Sequence, residues 1–163
     1  MVAKIQFQPP STEFLLKLGY RFSRNLLTHT DCYAENYMWR AVVVSALEDT
    51  MIDRTDRKSA TLKVKAHNWI LSECSDFDRV CNWAMLDPES VCEAYTGAIK
   101  QKKITFKNKH IQWHRYNTLF KKLQITYDSA KKKNIKKEMK QIRKDAVLGA
   151  CVLVTSIFLS VIT

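Results

Sequence analysis

The stretch that decides the fold is FDRVCNWAMLDPESV, residues 77–91. A helix–turn–helix unit needs a small residue in its first helix and a turn residue four positions later. A hydrophobe follows at once, and another comes five positions further on. In this chain the four positions are held by Cys81, Met85, Leu86 and Val91. We therefore predict two helices joined by a tight turn over residues 76–100.

The predicted turn has one favourable and one unusual feature. Asp87 is a good cap for the second helix, and Pro88 suits the first helical position because a backbone N–H is dispensable there. Met85, however, stands where glycine is usual, since glycine tolerates a positive φ. An ordinary helical hairpin with a capped turn is the alternative interpretation of this segment.

Composition extends the helical prediction to the rest of the chain. Only three glycines and three prolines occur in 163 residues, far fewer than the turns of a sandwich or barrel require. Apolar residues at helical spacing predict one helix over residues 12–27 and a central core helix over residues 32–51. The expected fold class is all-α, with a helical domain over residues 11–125. Ile104 to Phe106 is expected to be extended.

Positive charge is concentrated in the carboxy-terminal part. Residues 1–100 carry twelve Lys or Arg and thirteen Asp or Glu, whereas residues 101–163 carry fifteen and three, a net charge of +12. A segregated charge of this size favours an anionic partner, either nucleic acid or acidic lipid.

The helix from Pro88 is the candidate for entering a DNA groove. Its polar side chains would contact bases, and the lysines beyond it would hold phosphates. The predicted nucleic-acid-binding residues are Ser90, Tyr95, Thr96, Lys100, Lys102, Lys103, Lys107 and Lys109. Glu89 and Glu93 on the same helix oppose this interpretation because they repel phosphate.

Residues 126–145 are expected to form a basic connector that flanks a membrane on its cytoplasmic side. The flanking cations are Lys131, Lys132, Lys133, Lys136, Lys137, Lys140, Arg143 and Lys144. Two alternatives are that the same cations bind DNA phosphates or that they only form a solvated helix face.

Residues 146–163 contain no charge. As a helix they would span about 27 Å, close to the roughly 30 Å of a bilayer core, so they predict a transmembrane tail anchor. A buried terminal helix of the helical domain and an artefactual chain end are the alternatives. The predicted location is the cytoplasmic side of a membrane, or the cytoplasm if this helix is buried.

Two blocks of sequence carry a resemblance to other proteins. Residues 38–49 and residues 69–91 resemble small uncharacterised helical proteins of phages and prophages, chiefly of alphaproteobacteria. Members of that family usually have glycine at the position of Met85. The resemblance covers residues 35–95 and implies an all-helical fold in a phage setting, without an assigned reaction.

The chain offers little for catalysis, cofactors or metals. Its five cysteines contain no CxxC pair, and residues 1–10 lack the apolar run of a signal peptide, so we expect free thiols in a reducing compartment. His110 and His114 lack a third ligand and are predicted to be surface histidines. Trp113 to Tyr116 is the one place where aromatic and basic residues alternate, as on platforms that stack single-stranded bases.

These patterns predict a non-enzymatic DNA-binding or regulatory protein of phage or prophage type, with membrane tethering through its tail. The alternative is a tail-anchored membrane adaptor whose helical domain binds a protein partner. Neither function requires a cofactor.

Overall fold

A computed structural model describes residues 12–27, 34–72, 75–155 and 161–162. The helices are α1 (Thr12–Leu18), α2 (Tyr20–Leu27), α3 (Ala34–Met51), α4 (Arg57–Leu71), α5 (Ser75–Trp83), α6 (Pro88–Lys100), α7 (Asn108–Ile125) and α8 (Ser129–Leu148). Two short strands, β1 (Phe106–Lys107) and β2 (Leu153–Val154), pair antiparallel. The predicted all-α class is confirmed.

The first predicted helix is interrupted. Gly19 has φ +91°, a left-handed conformation that only glycine adopts without strain, and it separates α1 from α2. Periodicity continued across the break, so the prediction of one helix over residues 12–27 was wrong at this point. The kink allows Phe14, Leu18 and Leu26 to be buried in the same core.

The main core is built around α3 and α4. Helix α4 packs against both α3 and α7, while α5 packs on α3 and α6 contacts α1 and α5. Asp56 caps α4 by accepting a hydrogen bond from the backbone N–H of Ser59. This cap starts the helix at Arg57, inside the charged stretch of residues 53–59.

Helices α7 and α8 form a hairpin with its own small core. Leu119 of α7 is buried against Met139 and Ile142 of α8, with further apolar side chains around them. The predicted connector over residues 126–145 is therefore mostly helix. The helix was not predicted because only three apolar positions stand out among many lysines. Those few apolar side chains are nevertheless enough to pack a helix against one neighbour.

The predicted single apolar helix over residues 146–163 is corrected. Helix α8 ends at Leu148, and at Gly149 a β-carbon would overlap the carbonyl oxygen of Asp145. The chain then runs extended, and β2 pairs with β1 through Phe106 opposite Val154. Residues 156–160 lie outside the described part of the tail.

The carboxy terminus returns to the helical domain. Asn68 donates to the carbonyl of Ile162 (2.6 Å) and accepts from its N–H (2.7 Å), and the Ile162 side chain is buried in the main core. In the parts of the chain that the structure describes, no helix has both the length and the apolar character to cross a bilayer.

Candidate nucleic-acid interface

A tight turn joins α5 to α6. The N–H of Leu86 bonds the carbonyl of Cys81 and the N–H of Met85 bonds that of Asn82, the pattern of a Schellman motif. Met85 takes the left-handed position with φ +53°. The predicted cap is confirmed, because the Asp87 carboxylate accepts from the N–H of Ser90 at 3.0 Å.

The positive φ at Met85 gives a direct prediction. Met85→Gly should raise the free energy of unfolding by about 1 kcal/mol, because the Met85 side chain is 57% exposed and a non-glycine residue in this conformation is strained. Urea unfolding followed by circular dichroism measures the change. Met85→Ala is the matched control and should give no such gain, since alanine keeps the β-carbon. A destabilised glycine variant would contradict this account of the turn.

Two side chains of α3 hold the end of α5. Asn36 Nδ2 donates to the carbonyl of Trp83 (2.7 Å), and Arg40 Nε donates to that of Ala84 (2.8 Å). The other guanidinium nitrogens of Arg40 reach the carbonyls of Leu26 (3.2 Å) and Met85 (3.4 Å). Arg40 is 1% exposed, so its charge is balanced mainly by the negative ends of α2 and α5. Nothing in the sequence pattern indicates this role, because Arg40 lies in an otherwise apolar stretch.

The face of α6 does not suit a DNA groove. Tyr95 is completely buried and shares a 2.7 Å hydrogen bond with Nδ1 of His67, so its predicted contact with nucleic acid is wrong. Ser90 bonds the Asp87 carboxylate through its hydroxyl. Thr96 donates to the carbonyl of Glu93. Helices α5 and α6 with their turn carry five Asp or Glu and two Lys or Arg, a net charge of −3.

The lysines after α6 divide into two groups. Lys100 at the end of α6 is exposed, as are Lys102 and Lys103 on the turn that follows, in which Lys102 has φ +57°. Lys107 and Lys109 are half-buried, and Lys107 Nζ donates to the carbonyl of Asp53 at 3.2 Å. Only the first three are as open to solvent as the sequence interpretation required.

The strongest positive surface is the α7–α8 hairpin. Residues 108–148 carry twelve Lys or Arg and three Asp or Glu, a net charge of +9. All eight predicted flanking cations belong to α8, and seven of them are exposed while Lys132 is half-buried. Asp128 lies 3.8 Å from Lys131, and Glu138 pairs with Arg115 of α7. Most of the positive charge is thus left to solvent.

A groove of about 250 Å³ runs between α7 and α8. Its floor is apolar and aromatic and its rim is cationic. The lining residues are Tyr116, Phe120, Leu123, Lys136, Met139, Lys140 and Arg143. Arg57 of α4 approaches from outside, with its guanidinium carbon 4.8 Å from the centre of the Tyr116 ring. Trp113, also considered for stacking, packs edge-on against Tyr116.

A polar network lies inside the main core. Lys63 is buried, donates to the carbonyl of Ile52 at 2.8 Å, and lies 5.0 Å from the Phe106 ring centre. Burial lowers the pKa of Lys63 to about 8, although Asp53 partly offsets the effect. His67 and Tyr95 extend the network, and burial raises the pKa of Tyr95.

His110 belongs to the same network. The predicted surface position of His110 is wrong, because the side chain is completely buried and both ring nitrogens are occupied. Nδ1 accepts from the N–H of Lys107 and Nε2 lies 3.1 Å from the carbonyl of Arg54. Burial, followed by the charge of Lys63, lowers its pKa to about 4. In the described residues, the hydrogen bonds of this network all join groups of the protein to one another. We therefore assign the network a structural role.

The described cysteines are free thiols of differing exposure. Cys81 is buried, Cys92 half-buried and Cys151 exposed. Burial raises the pKa of Cys81 to about 12, which keeps this thiol protonated. Cys32 and Cys74 lie outside the described residues. Within the described ranges, no three His, Cys, Asp or Glu side chains converge as metal ligands would.

Comparison with known proteins gave no match to a family model, to a curated protein or to a solved structure.

Proposed function

We propose that this chain is a non-enzymatic nucleic-acid-binding protein whose phosphate-binding surface is the α7–α8 hairpin. The observation that carries the proposal is the row of exposed cations along α8, only partly neutralised by the few carboxylates nearby. Cations distributed along a 20-residue helix can neutralise several phosphates of one nucleic acid.

The proposal moves the contact surface away from α6. The exposed side chains Glu89 and Glu93 lie on the face that would enter a groove, and Tyr95 is unavailable. Of the residues predicted to bind nucleic acid, Lys100, Lys102 and Lys103 are exposed and can still contact phosphates. Phosphate contacts position a protein without reading sequence, so the expected binding is largely sequence-independent.

Neutralising three exposed cations of the hairpin tests the proposal. The variant Lys133→Gln/Lys137→Gln/Lys144→Gln should bind a labelled 20-base-pair duplex at least tenfold more weakly at low salt. The slope of log affinity against log salt should become shallower by up to about 2.7, because each lost phosphate contact removes about 0.9. Fluorescence anisotropy between 50 and 300 mM salt measures both quantities.

Two matched variants sharpen the result. Arg21→Gln/Lys58→Gln/Lys65→Gln removes the same charge from exposed positions outside the hairpin and should leave affinity within about twofold. Lys100→Gln/Lys102→Gln/Lys103→Gln should have a smaller effect than the hairpin variant. If the turn variant alone abolished binding, the contact surface would lie beside α6 and the hairpin assignment would be wrong.

A membrane-bound adaptor is the second candidate. It is favoured by four apolar side chains that α8 and the following segment leave exposed beside Arg143 and Lys144: Val147, Leu148, Val152 and Leu153. Basic residues next to exposed apolar ones suit the surface of an anionic bilayer. Sedimentation with phosphatidylserine vesicles separates the two functions. If the protein sediments with the vesicles but binds neither duplex nor single-stranded nucleic acid, the nucleic-acid proposal is wrong and the membrane adaptor is favoured.

A further inference from the structure

The groove between α7 and α8 has a composition that phosphate contacts alone do not explain. Its floor contains the Phe120 ring, which is 41% exposed although it is large and apolar. Tyr116 lies one helical turn earlier on the same face of α7. In this part of the hairpin, an aromatic surface is therefore presented to solvent beside the cations of α8.

Cations surround this aromatic floor. Lys136, Lys140 and Arg143 line the α8 side, and no carboxylate of the described residues lies within 4 Å of their charged nitrogens. On the α4 side, the Arg57 guanidinium lies 4.8 Å from the centre of the Tyr116 ring and 5.9 Å from that of Phe120. Asn117 fixes Arg57 by accepting from its Nε at 2.7 Å. One guanidinium is thus already stacked at the aromatic site.

This arrangement favours a ligand with a flat apolar face and a negative charge within a few ångströms of it. A nucleotide has both features. A base in a duplex hides its faces in the stack, whereas a base in a single strand exposes them for stacking on an aromatic side chain. A lipid headgroup would use the cations but has no flat ring to place on Phe120.

We propose that the α7–α8 groove binds single-stranded nucleic acid, with one base against Phe120 and Tyr116 and the flanking phosphates against Lys136, Lys140, Arg143 and Arg57. The inference rests on the proposed nucleic-acid-binding function and adds to the phosphate-binding surface a site that only single strands can use. The groove volume of about 250 Å³ is comparable with the volume of one base and its sugar.

Phe120→Leu in the full chain tests this assignment. Leucine keeps an apolar side chain in the groove and removes the ring. The variant should bind a labelled 20-nucleotide single strand about tenfold more weakly, because stacking is worth roughly that factor or more per base. Its affinity for the 20-base-pair duplex, and its salt slope on either ligand, should stay unchanged. Competition anisotropy between 50 and 300 mM salt gives both affinities and both salt slopes.

Tyr127→Leu is the matched control, since Tyr127 is 94% exposed at the end of the same hairpin but does not line the groove. It should leave single-strand affinity within about twofold. If the protein binds duplex and Phe120→Leu leaves single-strand affinity unchanged, the groove assignment is overturned while the function stands. If neither nucleic acid binds, both proposals fail. If Phe120→Leu weakens binding to phosphatidylserine vesicles but not to single strands, the groove is a lipid site instead.

Discussion

Arg40→Ala is expected to lower the free energy of unfolding by about 3–5 kcal/mol. The substitution empties a fully buried volume and removes hydrogen bonds to the carbonyls of Leu26, Ala84 and Met85. Each buried acceptor left without a partner costs about 1–3 kcal/mol. Domains of this size are stable by only about 5–15 kcal/mol, so a large share of the total would be lost. Urea denaturation monitored by tryptophan fluorescence measures the change.

The effect should be specific to the buried guanidinium. Arg21→Ala removes an exposed arginine from α2 and should change stability by less than about 0.5 kcal/mol. Arg40→Lys should recover part of the loss, because an ammonium reaches one or two of the three carbonyls. A loss below 1 kcal/mol in Arg40→Ala would show that solvent satisfies these carbonyls and that Arg40 does not hold the α5–α6 turn.

Acidification should destabilise the fold through His110. Its pKa is about 4 in the folded chain against about 6.5 for an exposed histidine, mainly because the ring is buried and secondly because Lys63 is near. The unfolded chain therefore takes up a proton between these values while the folded chain does not. Stability should fall as pH decreases from 6.5 to 4, by up to about 3 kcal/mol. Urea titrations at half-unit pH steps give the profile.

The hydrogen bonds explain why protonation is incompatible with the fold. Nδ1 accepts from the N–H of Lys107, so a proton on Nδ1 would set two donors against each other. His110→Phe should be less stable at pH 7 but should show a much flatter profile between pH 4.5 and 6.5. His114→Phe is the control. Its pKa is also lowered by burial, to a smaller extent, so most of the slope should remain. An unchanged slope in His110→Phe would assign the acid sensitivity to other groups.

Local sequence patterns were sufficient for elements whose stability is decided within one turn. The Asp87 cap and Pro88 fix the start of α6, and the spacing from Cys81 to Val91 places the turn before it. The scarcity of glycine and proline determined the all-α class. An extended piece over Ile104 to Phe106 was also predicted, and β1 begins at Phe106.

Features that depend on distant residues could not be predicted. Nothing in an apolar helix indicates that Arg40 faces three carbonyls, because the acceptors are 14 to 45 positions away. His110 has a partner in Arg54, 56 positions earlier. Tyr95 was predicted to be exposed because its hydroxyl is polar. In the structure that hydroxyl is buried and hydrogen-bonded to His67, which lies 28 positions away.

The candidate site shows the same division. Sequence alone determined where along the chain the positive charge lies, since net charge is additive and independent of folding. The tertiary structure decided which face presents it. Helix α8 docks on α7 through three buried side chains, leaving its lysines outward and a groove against Phe120. The tertiary structure also decided the path of the carboxy-terminal segment. The pairing of β2 with β1 and the two hydrogen bonds between Asn68 and Ile162 join residues that are 46 to 94 positions apart.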